Sequence, residues 1–142
     1  MRGSKYFTKN FYWKLEKNQD LNKSININID MVGSYIGLLC KRGIFKKDLN
    51  DNINQIITSC AQKLNIPIDC YWKLINIKSD HKSFKYFERK TDGNFQIVCF
   101  HSDKDSKYIH SSKDSPEKCS SEIINNCIYL CYESVREIDS NL

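Results

Sequence analysis

The stretch DMVGSYIGLLCKRGIF, residues 30–45, decides which fold the chain is predicted to have. An apolar segment leads to Gly37, and the basic pair Lys41–Arg42 follows before the next glycine, Gly43. Glycine lets a ligand approach the main chain closely, and basic side chains hold phosphate groups. We therefore predict a short helix over residues 31–37 and then a phosphate-binding loop that opens at Gly37.

The chain has 142 residues, a formal net charge of +5 and 12% aromatic residues. This length suits one domain with a hydrophobic core, and the charge is a mild bias toward polyanionic partners. No stretch is long and apolar enough to span a membrane, and no apolar signal core follows the basic N-terminus. We expect a cytoplasmic protein without a membrane partner, located in the host cytoplasm if its Asn-, Ile- and Lys-rich alphabet comes from a viral genome.

Seven cysteines are present, an odd number, and they form no CxxC pair. In a cytoplasmic chain the expected state is reduced thiols. Three of them, Cys119, Cys127 and Cys131, fall on one face of a predicted helix, where a free thiol packs as a small apolar group. A zinc site with His101 or His110 lacks ligand spacing, and a catalytic Cys-His pair needs a third, orienting group. We therefore predict no metal, no cofactor and no catalytic residue.

Hydrophobic periodicity predicts two strands and a long helix in the first half of the chain. The aromatic segment FYWKL, Phe11–Leu15, is one predicted strand, and the alternating isoleucines of residues 24–29 are the second. From Phe45 to Leu64, apolar residues recur at helical spacing, and Pro67 ends that helix.

The second half is predicted to hold two strands and a closing helix. Residues 70–77 and 94–100 read as strands of a hairpin, joined by a long basic connection with a turn at Asp92–Gly93. Ser115 followed by Pro116 is typical of a helix start, and the apolar spacing continues to Ile138.

The tetrapeptide YWKL occurs twice, at residues 12–15 and 71–74. Two interpretations stay open. The pair marks a degenerate duplication of a ββα unit, or it marks two strands with similar packing demands.

This order of elements resembles the KH domain in its type I arrangement. The resemblance covers about residues 24–138 and rests on INIDMVGSYIG, the long helix, CYWKLINI, NFQIVCF and SPEKCSSEIINNCIYL. It implies an α+β fold with a β-α-α-β-β-α core and a three-stranded antiparallel sheet, plus an extra N-terminal strand. The domains would be an N-terminal extension with an aromatic strand, residues 1–23, and a KH-like domain, residues 24–142.

The resemblance also implies non-catalytic binding of single-stranded nucleic acid, RNA in preference to DNA. In such a domain the glycine loop and the start of the next helix hold phosphates, and an apolar groove holds unstacked bases. The implied contacts near the loop are Gly37, Lys41, Arg42, Gly43, Lys46 and Lys47. The implied contacts on the opposite rim are Lys82, Lys85, Arg89 and Lys90.

Two departures from the KH pattern leave alternatives open. Cys40 takes the place of the closing glycine of the loop, and Leu38–Leu39 occupy its middle. Either the loop is remodelled around Lys41–Arg42–Gly43, or the chain is a KH-derived interaction module with a protein partner or a homodimeric state. A third hypothesis is a viral host-interaction protein on another small fold. No Ser-His-Asp order, carboxylate pair or phosphate-loop lysine motif appears, so we do not expect an enzyme.

Overall fold

A computed structural model describes residues 2–18, 20–42, 44–45, 47–73, 79–92 and 94–141. In chain order, the helices and strands of these residues are α1 Arg2–Asn18, β1 Ile25–Asp30, β2 Gly37–Arg42, β3 Lys47–Asp48, α2 Asp51–Lys63, β4 Asp69–Lys73, α3 His81–Lys90, β5 Gln96–His101 and α4 Ser121–Ser140. Short 3-10 turns cover residues 21–23, 103–107 and 116–118. The predicted α+β class is confirmed.

The strands form one mixed sheet in which β1, β5, β2 and β4 lie side by side. β1 is parallel to β5 and β2 is parallel to β4, whereas β5 and β2 are antiparallel. The short β3 pairs with the end of β2. The predicted three-stranded antiparallel sheet is therefore wrong. The predicted hairpin of residues 70–77 and 94–100 is also wrong, because β2 lies between β4 and β5. Residues 74–78, which include the end of the predicted first strand, lie outside the described residues.

Residues 37–42 form the inner strand β2, so the predicted loop that opens at Gly37 is wrong. Leu38 and Leu39 point to opposite faces of β2, and both are buried because helices cover both faces of the sheet. A strand in this position favours a continuous apolar run. Gly37 lies where the main chains of β2 and β5 approach closely. A Cβ added to Gly37 would lie 2.2 Å from the carbonyl oxygen of His101. This glycine therefore serves backbone packing within the sheet.

Different helices cover the two faces of the sheet. α2 and α4 pack on one face, the α2/α4 face, and α3 packs on the other face, the α3 face. Because side chains alternate along a strand, Cys99 and His101 of β5 lie on the α3 face, opposite Val98 and Phe100. The buried residues of the α2/α4 face include Ile36, Leu38, Ile57, Val98, Phe100 and Leu130.

The N-terminal segment is the helix α1, so the predicted aromatic strand at Phe11–Leu15 is wrong. Tyr12 stacks on Phe87 of α3 with ring centroids 5.4 Å apart. Thr8, Tyr12 and Leu15 recur at helical spacing, which places them on one side of α1. The first YWKL copy therefore lies in a helix and the second begins in β4, so the structure gives the duplication no support. The domain division at residue 23 stays a prediction.

Both predicted long helices exist, but each begins later than expected. α2 begins at Asp51, because the β2–β3 hairpin takes up the residues before it. α4 begins after Ser120, whose hydroxyl oxygen accepts a hydrogen bond from the backbone N–H of Ile123 at 3.3 Å. Ser115 instead precedes a separate 3-10 turn, and the predicted helix at residues 31–37 is absent from the described residues. Within the described residues, no helix combines the length and apolar content needed to cross a membrane.

Candidate active site

The residues predicted to bind phosphate near a glycine loop lie on the β2–β3 hairpin. Gly37 and Arg42 are the ends of β2, and Lys47 begins β3. The ammonium group of Lys41 pairs with the carboxylate of Asp48, 3.2 Å away. Gly43 and Lys46 lie outside the described residues.

The predicted second rim, at Lys82, Lys85, Arg89 and Lys90, lies on α3 rather than in a connecting loop. This helix is short, and Phe84 and Phe87 supply most of its inward-facing apolar surface. The basic residues are partly or fully exposed along this helix. They do not border an open glycine loop, because that segment is β2.

A chain of polar contacts lies beneath α3. Asn28 of β1 and Cys99 of β5 are register partners in the parallel ladder, so they sit side by side on the α3 face. The Asn28 amide donates to Ser79 Oγ at 3.0 Å and to Cys99 Sγ at 3.7 Å. Cys99 Sγ also lies 3.6 Å from Nδ1 of His81, the first residue of α3. Strand pairing and the start of α3 thus bring a thiol, an imidazole and an amide together.

A small cavity of about 20 Å³ opens beside the Cys99–His81 contact. A volume of this size is enough for about one water molecule. Asn50, just before α2, helps to form it: its side-chain oxygen accepts a hydrogen bond from the Ile97 backbone N–H at 3.0 Å. The other lining residues are Leu39, Leu49, Lys85, Glu88 and Ile97.

Burial controls the charge state of the Cys99 thiol. Its side chain is only 2% exposed. Desolvation raises the pKa of Cys99 to about 12, although the hydrogen bond from Asn28 acts in the opposite direction. The thiol is therefore protonated at neutral pH, and it can act as a nucleophile only if a base takes its proton.

A second buried polar group lies at the end of β5. The ring nitrogen Nδ1 of His101 is 3.4 Å from the Tyr71 hydroxyl. Desolvation lowers the pKa of His101, against the attraction of Asp30 and Asp103, and it raises the pKa of Tyr71. Lys73 forms an ion pair with Asp103. His101 therefore stays neutral at neutral pH, and its fixed contact is a tyrosine rather than a thiol or a serine.

Comparison with known families decides between a nucleic-acid-binding protein, an interaction module and an enzyme. The model of peptidase family M28 matches residues 1–135, which is nearly the whole chain. The chain belongs to this family. Neither the comparison with curated proteins nor the comparison with solved structures gave a match.

Membership in peptidase family M28 corrects four predictions. The resemblance to the KH domain is wrong. Single-stranded RNA or DNA binding, and the KH-like interaction module offered as its alternative, are wrong as well. The expectation that the chain is not an enzyme is wrong, because the family is one of proteolytic enzymes. The partners that the family indicates are protein substrates.

A peptidase cleaves its bond with metal-bound water, with water activated by a carboxylate pair, or with an activated side-chain nucleophile. A catalytic metal needs about three protein ligands, chosen from His, Cys, Asp and Glu. Every one of these residues lies within the described ranges, and there no three of them are grouped so that they could hold an ion. The residues present do not fit a resident metal. The Cys99–His81 contact is, in contrast, a nucleophile beside a base.

No sequence pattern indicated Asn28, His81 or Cys99 as site residues. Cys99 was correctly placed in a strand, and Asn28 in another, but nothing local indicates that β1 and β5 are parallel neighbours. His81 lay in a charged segment that was taken for a connection rather than the start of α3. Asn28, 71 positions before Cys99 in the chain, donates to the thiol, which is the nucleophile of the pair and not its base.

Proposed function

We propose that this chain hydrolyses peptide bonds, with Cys99 as the nucleophile and His81 as the general base. The observation that carries the proposal is the match to peptidase family M28 over residues 1–135. The assignment of residues is supported by the 3.6 Å contact between Cys99 Sγ and His81 Nδ1. This distance falls within the range for a sulfur hydrogen bond, as a nucleophile–base pair requires.

The first half of the reaction is acyl transfer to the thiol. His81 Nδ1 takes the proton of Cys99 as the sulfur attacks the carbonyl carbon of the substrate. The carbon–sulfur bond forms and the carbonyl electrons move to oxygen. When they return, the carbon–nitrogen bond breaks and His81 gives its proton to the leaving amine. The product is a thioester on Cys99.

The second half is hydrolysis of that thioester. A water molecule attacks the acyl carbon, and His81 takes one of its protons. The carbon–sulfur bond breaks, and the thiol of Cys99 is restored with the proton from His81. Asn28 assists in both halves, because its amide donates to the sulfur and favours the thiolate form.

Access to the thiol depends on α3. Cys99 and His81 are each no more than 3% exposed, and the cavity beside them holds about one water. A peptide therefore reaches Cys99 only when α3 moves away from the sheet. The contacts that resist this movement include aromatic ones on both sides of α3, such as Tyr12 on Phe87 and Phe87 on Phe95.

The test is hydrolysis of a fluorogenic peptide library by the wild type and three variants. Cys99→Ala and His81→Gln should each lower the rate at least about 100-fold, because a missing nucleophile or base removes most of the catalysis. Cys60→Ala is the matched control, since Cys60 is equally buried but lies on the α2/α4 face. It should keep wild-type activity, and so should the wild type in excess chelator.

Three results would overturn the proposal. One is a wild type that cleaves no peptide in the library. Another is a Cys99→Ala variant that is folded by circular dichroism and as active as Cys60→Ala. The last is loss of wild-type hydrolysis on addition of chelator, restored by a divalent metal.

A further inference from the structure

Two other thiols, Cys40 and Cys70, meet on the opposite side of the sheet. They belong to the parallel neighbours β2 and β4, and each thiol shifts the pKa of the other. Cys70 Sγ also lies 3.9 Å from the hydroxyl oxygen of Thr58 in α2. Both thiols therefore lie on the α2/α4 face, away from Cys99.

An irregularity in the ladder brings these two thiols together. The register pairs Leu39 with Tyr71 and Lys41 with Trp72, so Cys40 is the extra residue of a β-bulge. In the register Cys70 lies opposite Leu38, and Cys40 packs on the same face of β2, so the two cysteines are diagonal neighbours on adjacent strands. The Cα atoms of a disulfide lie about 4.4–6.8 Å apart. Diagonal neighbours start farther apart than direct partners, so β2 and β4 must shift locally at the bulge before the two sulfur atoms can bond.

Solvent reaches both thiols. Cys70 is exposed and Cys40 is partly exposed. Cys40 also borders an open cavity of about 330 Å³ between β3 and α2, whose lining includes Asp48, Asn54 and Thr58. A small oxidant can therefore enter.

The other cysteines of the chain lack this combination. Cys127 and Cys131 are also in contact, but Cys127 is only 1% exposed. Cys119 is exposed, but no other thiol is in contact with it among the described residues. Cys119 is thus an internal control for exposure without a neighbouring thiol, and the Cys127–Cys131 pair is a control for neighbouring thiols of which one is buried.

The contact also makes the two thiols unequal. The hydrogen bond that the Cys40 thiol donates lowers the pKa of Cys70 and raises the pKa of Cys40. Thr58 adds little to this effect, because its one hydroxyl proton is donated to the Asn54 carbonyl at 2.7 Å. Cys70 therefore ionises more readily than Cys40, and Cys40 is the neighbouring thiol that can attack Cys70 once it is oxidised.

We propose that Cys40 and Cys70 are a modification site, a dithiol that hydrogen peroxide converts to a disulfide between β2 and β4. The Cys70 thiolate attacks one peroxide oxygen, so a sulfur–oxygen bond forms, the oxygen–oxygen bond breaks and hydroxide leaves. The Cys40 sulfur then attacks the Cys70 sulfur, and the sulfur–oxygen bond breaks with loss of water. The two sulfur atoms together lose two electrons to the peroxide, and a small thiol reductant reverses the change.

The proposal is independent of the proposed peptidase activity, because the pair lies on the other face from Cys99. The experiment treats the full chain with a small excess of hydrogen peroxide and then blocks free thiols with N-ethylmaleimide. Peptide mapping by mass spectrometry follows, with and without reduction. The variants are Cys40→Ser and Cys70→Ser, and Cys119→Ser is the matched control.

The expected product is a crosslinked peptide pair that contains Cys40 and Cys70, lost on reduction and still formed in Cys119→Ser. In Cys40→Ser, Cys70 should instead accumulate as a sulfenic acid that dimedone traps. In the wild type, Cys70 should react at least about 10-fold faster than Cys119, because its contact with Cys40 lowers the pKa of Cys70 and favours its thiolate. Absence of the crosslink, or oxidation of Cys70 no faster than that of Cys119, would overturn the proposal.

Discussion

The two faces of the sheet differ in chemistry although the same strand supplies both. On β5, Val98 and Phe100 are fully buried against α2 and α4 in an apolar core. Cys99 and His101, the alternate residues, are almost as buried, but they contact polar groups beneath α3 and at the strand end. A buried apolar side chain stabilises the fold without any specific partner, whereas a buried polar group needs a hydrogen-bond partner. Along β5, the residues on the α2/α4 face therefore provide apolar packing, whereas those on the α3 face are a buried thiol and a buried histidine with polar partners.

The largest expected effect on stability comes from the α2/α4 face. Phe100→Ala removes a fully buried ring and should lower the free energy of unfolding by about 3–5 kcal/mol. Because no ionisable group is removed, the loss should be the same at neutral and at mildly acidic pH. Urea denaturation at both pH values measures it. A loss below about 1 kcal/mol would mean that the core relaxes around the cavity, and the contrast between the faces would weaken.

A smaller effect is expected where the backbones of β2 and β5 meet. Gly37→Ala places a methyl group 2.2 Å from the His101 carbonyl oxygen, so one strand must shift. We expect a destabilisation of about 1–3 kcal/mol, the usual range for overpacking.

Gly3→Ala is the matched control for that substitution, because nothing lies within 4 Å of a Cβ added at Gly3 in α1. It should stabilise the chain by about 0.5–1 kcal/mol, since alanine favours a helix over glycine. Thermal unfolding of both variants checks the pair. Equal melting temperatures for Gly37→Ala and the wild type would show that residues 37–42 are not packed as β2 is.

The smallest expected effect is the pH dependence of the α3 face. Burial lowers the pKa of His101 below its ordinary value of 6.5. Below that value the unfolded chain binds a proton that the folded chain resists, so stability falls as the pH falls. The wild type should therefore lose stability between about pH 7.5 and about pH 5.5, and His101→Gln should lose less.

Urea denaturation at the two pH values gives the slope for each variant. His110→Gln is the matched control, because His110 is an exposed histidine outside the sheet. It should keep the wild-type slope. If His101→Gln also keeps that slope, another group is responsible for the pH dependence of the fold.

Sequence patterns were sufficient where a local signal has one structural outcome. The alternating isoleucines of residues 25–30 form β1, and the run before His101 forms β5, as predicted. The apolar spacing after residue 50 forms α2. These elements follow from hydrophobic periodicity over a few residues. Such an apolar face can be buried against any neighbouring element, so the prediction does not need to know which one.

The same reasoning failed where the outcome depends on distant residues. Gly37 was interpreted as a loop glycine, but the carbonyl of His101 is what requires it. The FYWKL segment has strand propensity, yet packing on α3 makes it a helix, because tertiary contacts override propensity. The candidate site has the same character, since Asn28, His81 and Cys99 come together only through the parallel pairing of β1 with β5 and the position of α3.

The most direct test of the central claim is to trap the acyl-enzyme. The wild type is mixed with a peptide substrate, quenched in acid during turnover, digested and analysed by mass spectrometry. We predict an acyl group in thioester linkage on the fragment that contains Cys99, absent from His81→Gln and undiminished by chelator. Turnover without any adduct, or an adduct on a cysteine other than Cys99, would contradict the assignment of the α3 face as the catalytic face.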